Sequence, residues 1–217
     1  MGASSEELHD NRNNHWIAYC SGGDGPRRLA DRTAPRLITA EEYEQLEEVL
    51  GFRDELIEGE RVFSLTPILA HTAVAEQVER ILNKQLAELG SEPLRVVHAT
   101  GWKFHTPASG ADSVLVPDLM VIWEEDFRRG VKTSGWYEGL PVLVIEVISP
   151  SERRARRLQK VGLYLDRGAP HVVEVDYTKR VIRVHTPEVD SAIVYRQGDQ
   201  LTVPFRASVD EIFGILD

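Results

Sequence analysis

Two apolar runs in this chain each carry a single carboxylate. The first is Val116-Pro117-Asp118-Leu119-Met120-Val121-Ile122 and the second is Pro141-Val142-Leu143-Val144-Ile145-Glu146-Val147-Ile148. Neither face of either run is polar throughout, so both read as buried strands. An ionised carboxylate taken out of water without partners costs several kcal/mol even after relaxation, so Asp118 and Glu146 need a counter-charge. A divalent metal or a lysine would supply it. Lys160 lies on the helix expected after the second run, and an Asp, Glu, Lys set of this kind suggests metal-assisted hydrolysis. Two carboxylates with a backbone carbonyl, here Val147, are hard oxygen donors suited to Mg²⁺ or Mn²⁺. Lys160 would then orient or deprotonate the attacking water, or stabilise developing charge.

Side chains alternate along a strand, so Glu146 shares a face with Val144 and Ile148, and Asp118 shares one with Val116 and Met120. If the two strands are neighbours with matched faces, the carboxylates meet. On the helix expected over 152–167, Arg156, Lys160 and Tyr164 fall at i, i+4 and i+8, while Leu158, Val161 and Leu165 form a side that can pack on the sheet.

The remaining elements build the scaffold. Residues 1–36 are polar, rich in Asn, Gly and Asp, and read as a flexible extension ahead of a single domain over 37–217. A capping box, Thr39 with Glu42, opens a helix expected to run to about Leu50. A hairpin follows, with strands Glu55-Leu56-Ile57 and Arg61 to Leu65 turning around Glu58-Gly59. A long helix is expected from about Leu69 to Leu89, its stripe Val74, Val78, Ile81, Leu82, Leu86 and Leu89 covering a sheet and Gly90 ending it. Strands are expected at 94–99, 102–105, 115–122 and 142–148. The polar segment 124–140 reads as a loop long enough to fold over a site or meet a partner. After the helix expected over 152–167, strands 171–176 and 181–185 are joined by a tight turn, and the tail supplies two edge strands and a short helix. The fold class is α/β (α+β): a mixed central sheet flanked by helices, with added hairpins.

Composition narrows the function. The chain has 217 residues and a formal net charge of −10, which argues against coating nucleic acid through overall charge and directs attention to local basic clusters. Cys20 is the only cysteine, so there is no intrachain disulfide and no cysteine-rich zinc site. No stretch approaches the roughly 18 to 20 apolar residues of a membrane span, and a cytoplasmic protein without membrane partners is expected. The histidines show no metal-ligand spacing, and there is no Walker loop, dinucleotide fingerprint or nucleophile elbow.

The stretch from Pro117-Asp118 through Ile145-Glu146-Val147-Ile148-Ser149-Pro150-Ser151 to Lys160, Tyr164, Gly168, Pro170 and Val175-Asp176 resembles the Uma-two family of restriction-endonuclease-like proteins, in the PD-(D/E)XK nuclease superfamily. The resemblance extends upstream to the hairpin Glu55-Leu56-Ile57-Glu58-Gly59-Glu60 and a helix beginning near His71. It covers about Ile38 to the end. It implies a restriction-endonuclease-like core, Asp118 and Glu146 as metal ligands, and Lys160 as the superfamily lysine, moved to the helix because Ile148 occupies its usual place. Glu60 and His71 match supporting positions. The implied activity is Mg²⁺-dependent hydrolysis of DNA phosphodiesters, with a homodimer as the simplest way to cut two strands. The chain departs from the family at Arg156, where an acidic residue is common, and at Val172-Val173, where an aromatic pair is common. Neither departure removes an implied ligand.

Each signal also has a plainer reading. Asp118 could serve backbone donors at a strand end. Glu146 and Lys160 could be a structural ion pair without metal. Arg153, Arg154, Arg156 and Arg157 could be a solvated face, or could contact backbone phosphates. The alternatives to a nuclease are a catalytically inactive nuclease-fold module that binds nucleic acid or regulates, and a structural interaction domain.

Overall fold

The structure, a computed structural model, describes residues 36–90, 93–133 and 135–217. The flexible extension expected over 1–36 lies outside the described residues except for Arg36. Among the described residues no helix is long and apolar enough to cross a membrane.

The first helix, α1 (Ala40–Glu44), is entered through the expected capping box, with Thr39 accepting from the Glu42 backbone N–H and the Glu42 side chain accepting from Thr39 N. It is only five residues long and does not reach Leu50. Only Ala40 of its residues is buried, so no apolar stripe carries the helix onward. Strands β1 (Phe52–Ile57) and β2 (Glu60–Leu65) form the expected hairpin. Its two-residue turn needs positive φ at both central positions, met by Glu58 at 49° and Gly59 at 80°. Helix α2 (Leu69–Leu89) has the expected bounds and ends on Gly90, in the left-handed region at φ 71°. Val74, Val78, Ile81 and Leu82 of its stripe are buried, each worth about 1.5–3 kcal/mol. Leu89, the last residue of the helix, is exposed.

Next come β3 (Leu94–His98), β4 (Trp102–Thr106), β5 (Ala111–Leu115) and β6 (Leu119–Trp123). The single strand expected over 115–122 is thus two strands. Pro117 has no N–H to give a ladder, and the chain breaks there, leaving Asp118 at the start of β6. Helix α3 (Glu124–Thr133) replaces most of the expected loop and packs beside β3 and β6. Then follow β7 (Leu143–Val147), α4 (Arg154–Asp166), β8 (Val172–Asp176), β9 (Val181–Thr186), β10 (Val189–Tyr195), the short pair β11 (Gln200–Leu201) and β12 (Ala207–Ser208), and α5 (Val209–Phe213) leading into a single 3₁₀ turn.

The main sheet has six strands in the order β10-β9-β8-β7-β6-β3, and a second sheet has the order β2-β1-β5-β4. In the main sheet β7 and β8 are parallel and the other pairs antiparallel. A parallel pair needs a crossover, and α4 is that crossover. One face of the main sheet, with Leu119, Val121, Ile145, Val173 and Val175, packs on α2 and α5. The opposite face, with Met120, Ile122, Val144 and Val172, packs on α4 and the smaller sheet. Of the α4 side expected to face the sheet, Val161 is buried but Leu158 is exposed; the packing face is instead Lys160, Val161, Leu163 and Tyr164.

Candidate active site

The register of the main sheet brings the two carboxylates to adjacent strands. Leu119 pairs with Ile145, and one step along this antiparallel ladder sets Asp118 beside Glu146. The backbone fixes the contact, because the Val147 N–H donates to Asp118 Oδ2 at 2.8 Å. Both side chains are buried, at 8% and 7% exposure.

Helix α4 lays Lys160 and Tyr164 over Glu146, as i, i+4 spacing requires. Lys160 Nζ is 2.8 Å from Glu146 Oε1, and the Tyr164 hydroxyl donates to the same oxygen at 2.6 Å. The Tyr164 ring is stacked on Trp102 of β4, with centroids 5.7 Å apart and planes within 6°. Such a stack fixes the ring, and the ring fixes the hydroxyl.

Two further residues complete the cluster, and both come from β1. Arg53 and Glu55, two apart on a strand, point to one side. Arg53 Nη1 donates to Asp118 Oδ1 at 2.8 Å. Glu55 Oε1 lies 3.0 Å from Lys160 Nζ and accepts from the Val116 N–H at 2.7 Å. The sequence reading missed both. The expected strand began at Glu55, so Arg53 fell outside it, although extending the Arg53, Glu55, Ile57 alternation two residues would have found it. His71, at the start of α2, places Nε2 3.2 Å from Asp118 Oδ2.

The charges balance incompletely. Glu55, Asp118 and Glu146 face two permanent cations, Arg53 and Lys160. Burial pushes the Glu146 carboxyl up to about 7 against the pull of Lys160, with Asp118 and Glu55 adding to the rise. Burial also works against ionised Asp118, but the His71 hydrogen bond and the Arg53 charge outweigh it and hold Asp118 at about 2. Burial would neutralise Lys160, yet Glu146 and Glu55 raise its pKa above the ordinary lysine value, so it stays protonated. Burial of His71 is likewise overcome by the hydrogen bond to Asp118, and its pKa is raised.

The donor chemistry suits a hard divalent cation: two carboxylates on adjacent strands, the Val147 carbonyl next to Glu146, and one negative charge in excess of the permanent cations. Among the described residues, however, no three His, Cys, Asp or Glu side chains already stand as a metal cage. Asp118 meets Arg53, His71 and the Val147 N–H instead.

The other expected residues are distributed around this cluster. Glu60 is opposite Ile57 at the closed end of the hairpin. Arg153 and Arg154 are exposed at the start of α4, and Arg156 is half-buried. Arg157 turns inward, its Nε 2.5 Å from Glu174 Oε1. Glu174 is fully buried on β8, next to Glu146 in the parallel ladder, and also meets His185 Nε2 at 2.9 Å. Across the sheet Glu174 pairs with Arg183 of β9. A charged row therefore continues from Asp118 through Glu146 and Glu174 to Arg183. A glutamate in the apolar run Val172-Val173-Glu174-Val175 was the available sign of it.

A family profile described as Uma2, putative restriction endonuclease, matches residues 40–209. The chain belongs to the Uma2 family. The Uma2 match spans every residue of the cluster, from Arg53 to Glu174. A solved structure described as a putative nuclease of the DUF820 group, from Anabaena variabilis, has the same fold as this Uma2 chain, with a TM-score of 0.69 at 20% identity, covering 83% of this chain and 99% of that one. No curated protein sequence matches. Family and fold are thus nuclease-like.

Proposed function

We propose that this Uma2 protein is a metal-dependent endonuclease that hydrolyses DNA phosphodiester bonds, with Asp118, Glu146 and Lys160 as its catalytic set. The observation that carries the reading is the convergence of Asp118 and Glu146 on adjacent buried strands, with Lys160 on Glu146 at 2.8 Å. Asp118, Glu146 and the Val147 carbonyl would hold Mg²⁺ or Mn²⁺. When bound, the cation supplies Lewis acidity toward a phosphate oxygen and a more acidic water.

The chain's own residues do the rest. Lys160 is protonated between Glu146 and Glu55, so it orients the attacking water and offsets developing negative charge rather than acting as a base. Tyr164, fixed by Trp102, holds Glu146 Oε1 in place. The charge of a bound cation would draw the Glu146 carboxyl down from about 7 and keep it ionised. Arg153 and Arg154 are exposed at the start of α4, the helix that carries Lys160, and would meet backbone phosphates, with Arg156 following them in the helix. Arg157, facing Glu174, serves the packing of α4 in this arrangement. A homodimer would bring two such centres to the two strands of a duplex, in the cytoplasm.

A second reading, an inactive nuclease-fold module that binds nucleic acid, is favoured by the internal cations that already meet Asp118. Cleavage of supercoiled plasmid and a single-stranded oligonucleotide with Mg²⁺, Mn²⁺ or EDTA separates the two. Metal-dependent nicking, lost in Glu146→Ala and Lys160→Ala, supports the endonuclease. DNA binding that survives Glu146→Ala without metal or cleavage supports the module.

A further inference from the structure

Asp118 has a cation on it already. Its Oδ1 takes the Arg53 guanidinium at 2.8 Å, and its Oδ2 is shared by the Val147 N–H at 2.8 Å and His71 Nε2 at 3.2 Å. These contacts differ in how easily they part. The Val147 N–H belongs to β7, whose neighbours pair it on both sides. Lys160, the other permanent cation, is 5% exposed in its side chain and held between two carboxylates, so turning it away would strand both. Arg53 rises from β1 of the smaller sheet, and its side chain is 21% exposed against 6% for Asp118. It is the more exposed of the two permanent cations, and the charge it would leave on Asp118 is the one an arriving divalent cation takes over.

We propose that Arg53 is a resident counter-ion that competes with the divalent cation for Asp118 Oδ1, so that metal binding proceeds by displacement of the guanidinium and Arg53 sets the metal affinity of the site. The inference rests on the reading of Asp118 as a metal ligand. A guanidinium and a divalent ion cannot share one carboxylate oxygen without strong like-charge repulsion. The two states therefore exchange: Arg53 on Asp118 without metal, and Arg53 released with it. The apparent metal affinity is lowered by the population of the Arg53-bound state, and by linkage the metal weakens the Arg53 contact by the same factor. The arrangement also answers what neutralises Asp118 before any metal arrives, since Lys160 serves Glu146 and Glu55, and Asp118 would otherwise be buried without a permanent cation.

The test is Mn²⁺ binding by the full chain near neutral pH, read by calorimetry and by the paramagnetic resonance of free Mn²⁺. Wild type is compared with Arg53→Met, Arg53→Lys, Asp118→Asn and, as a control for net charge, Arg196→Gln. Arg53→Met is expected to bind about ten-fold more tightly or better, the equivalent of one charge-assisted hydrogen bond. Arg53→Lys keeps the charge but loses the planar fork, so its gain is smaller and in the same direction. Arg196→Gln, at an exposed arginine with no role in the site, stays within about two-fold of wild type because solvent and salt screen the change. In a second readout, the ¹⁵N guanidinium signal of Arg53 is slow to exchange in EDTA and becomes fast on saturation with Mg²⁺.

Equal or weaker binding by Arg53→Met, or an Arg53 signal that ignores Mg²⁺, overturns the inference. If Arg53→Met does not fold, Arg53→Lys carries the same comparison. When wild type binds, Asp118→Asn does not, and the Arg53 variants show no gain, the displacement inference alone falls. Should no form bind Mn²⁺, the metal reading of the site falls and the inference falls with it.

Discussion

Replacing Lys160 by Met tests how the buried charges are held. Lys160 Nζ bridges Glu146 Oε1 at 2.8 Å and Glu55 Oε1 at 3.0 Å, with all three side chains at least nine-tenths buried. Removing one partner from a buried pair costs about 3–5 kcal/mol, because the remaining charge is stranded. Glu146 can escape by taking a proton, which makes the cost depend on pH. In the wild type its folded pKa, about 7, is above the ordinary glutamate value. The stabilisation linked to that raised value is fully present below about pH 4.5 and is lost as pH rises through about 7, after which this group contributes no further slope. Without Lys160 the folded pKa rises further. The variant then keeps losing about 1.4 kcal/mol per pH unit above pH 7, where the wild type is level. The penalty of Lys160→Met is therefore expected to be about 2 kcal/mol larger at about pH 8.5 than at about pH 6, reaching roughly 3–5 kcal/mol at the higher value. Urea unfolding at constant ionic strength reads this as a shift of midpoint at unchanged slope, and thermal unfolding reads it as a loss of roughly 10 °C or more. A penalty under about 1 kcal/mol at the higher pH, or one that is the same at both, refutes the reasoning.

Asp118→Asn is expected to cost about 2 kcal/mol near neutral pH. Since Asp118 has a folded pKa of about 2, its contribution is present above about pH 4, and acid titration of both proteins should show the difference shrinking as pH falls toward 2. Gly59→Ala places a Cβ 2.9 Å from Leu37 Cβ at a φ of 80°, so urea unfolding should report a loss of about 1–3 kcal/mol, whereas the same change at Gly130, where nothing lies within 4 Å, should not destabilise. Replacing Arg153 and Arg154 together by Gln should weaken DNA binding for all sequences alike and reduce the salt slope of the logarithmic affinity by up to about two, with an unchanged slope assigning both to a solvated face.

The catalytic candidates were legible because their chemistry conflicts with their surroundings. A lone acid in an apolar strand is rarely buried without a partner, which marked Asp118 and Glu146. Helical spacing from Lys160 to Tyr164 then predicted that both lie on one side of α4, and both meet Glu146. Arg53 and Glu55 carried no such conflict. Charged residues on a hairpin strand read as solvated, and only the tertiary contacts to Lys160 and Asp118 bury Glu55 and half-bury Arg53. Helix α3 escaped for the opposite reason: none of its residues is buried, so no apolar stripe announced it. Its signs were electrostatic alone, with Glu124, Glu125 and Asp126 in the first turn and Lys132 in the last. The split at Pro117 was readable from its missing donor, and reading it would have placed Asp118 at a strand start, where a side chain from β1 and another from α2 can both reach it.

Anomalous scattering from a manganese-soaked crystal, measured at the manganese edge, is the most direct test that Asp118 and Glu146 share one divalent cation. The account predicts a single peak between the two carboxylates with Arg53 turned away from Asp118. A peak elsewhere on the protein, or no peak at manganese concentrations that support cleavage, would contradict it.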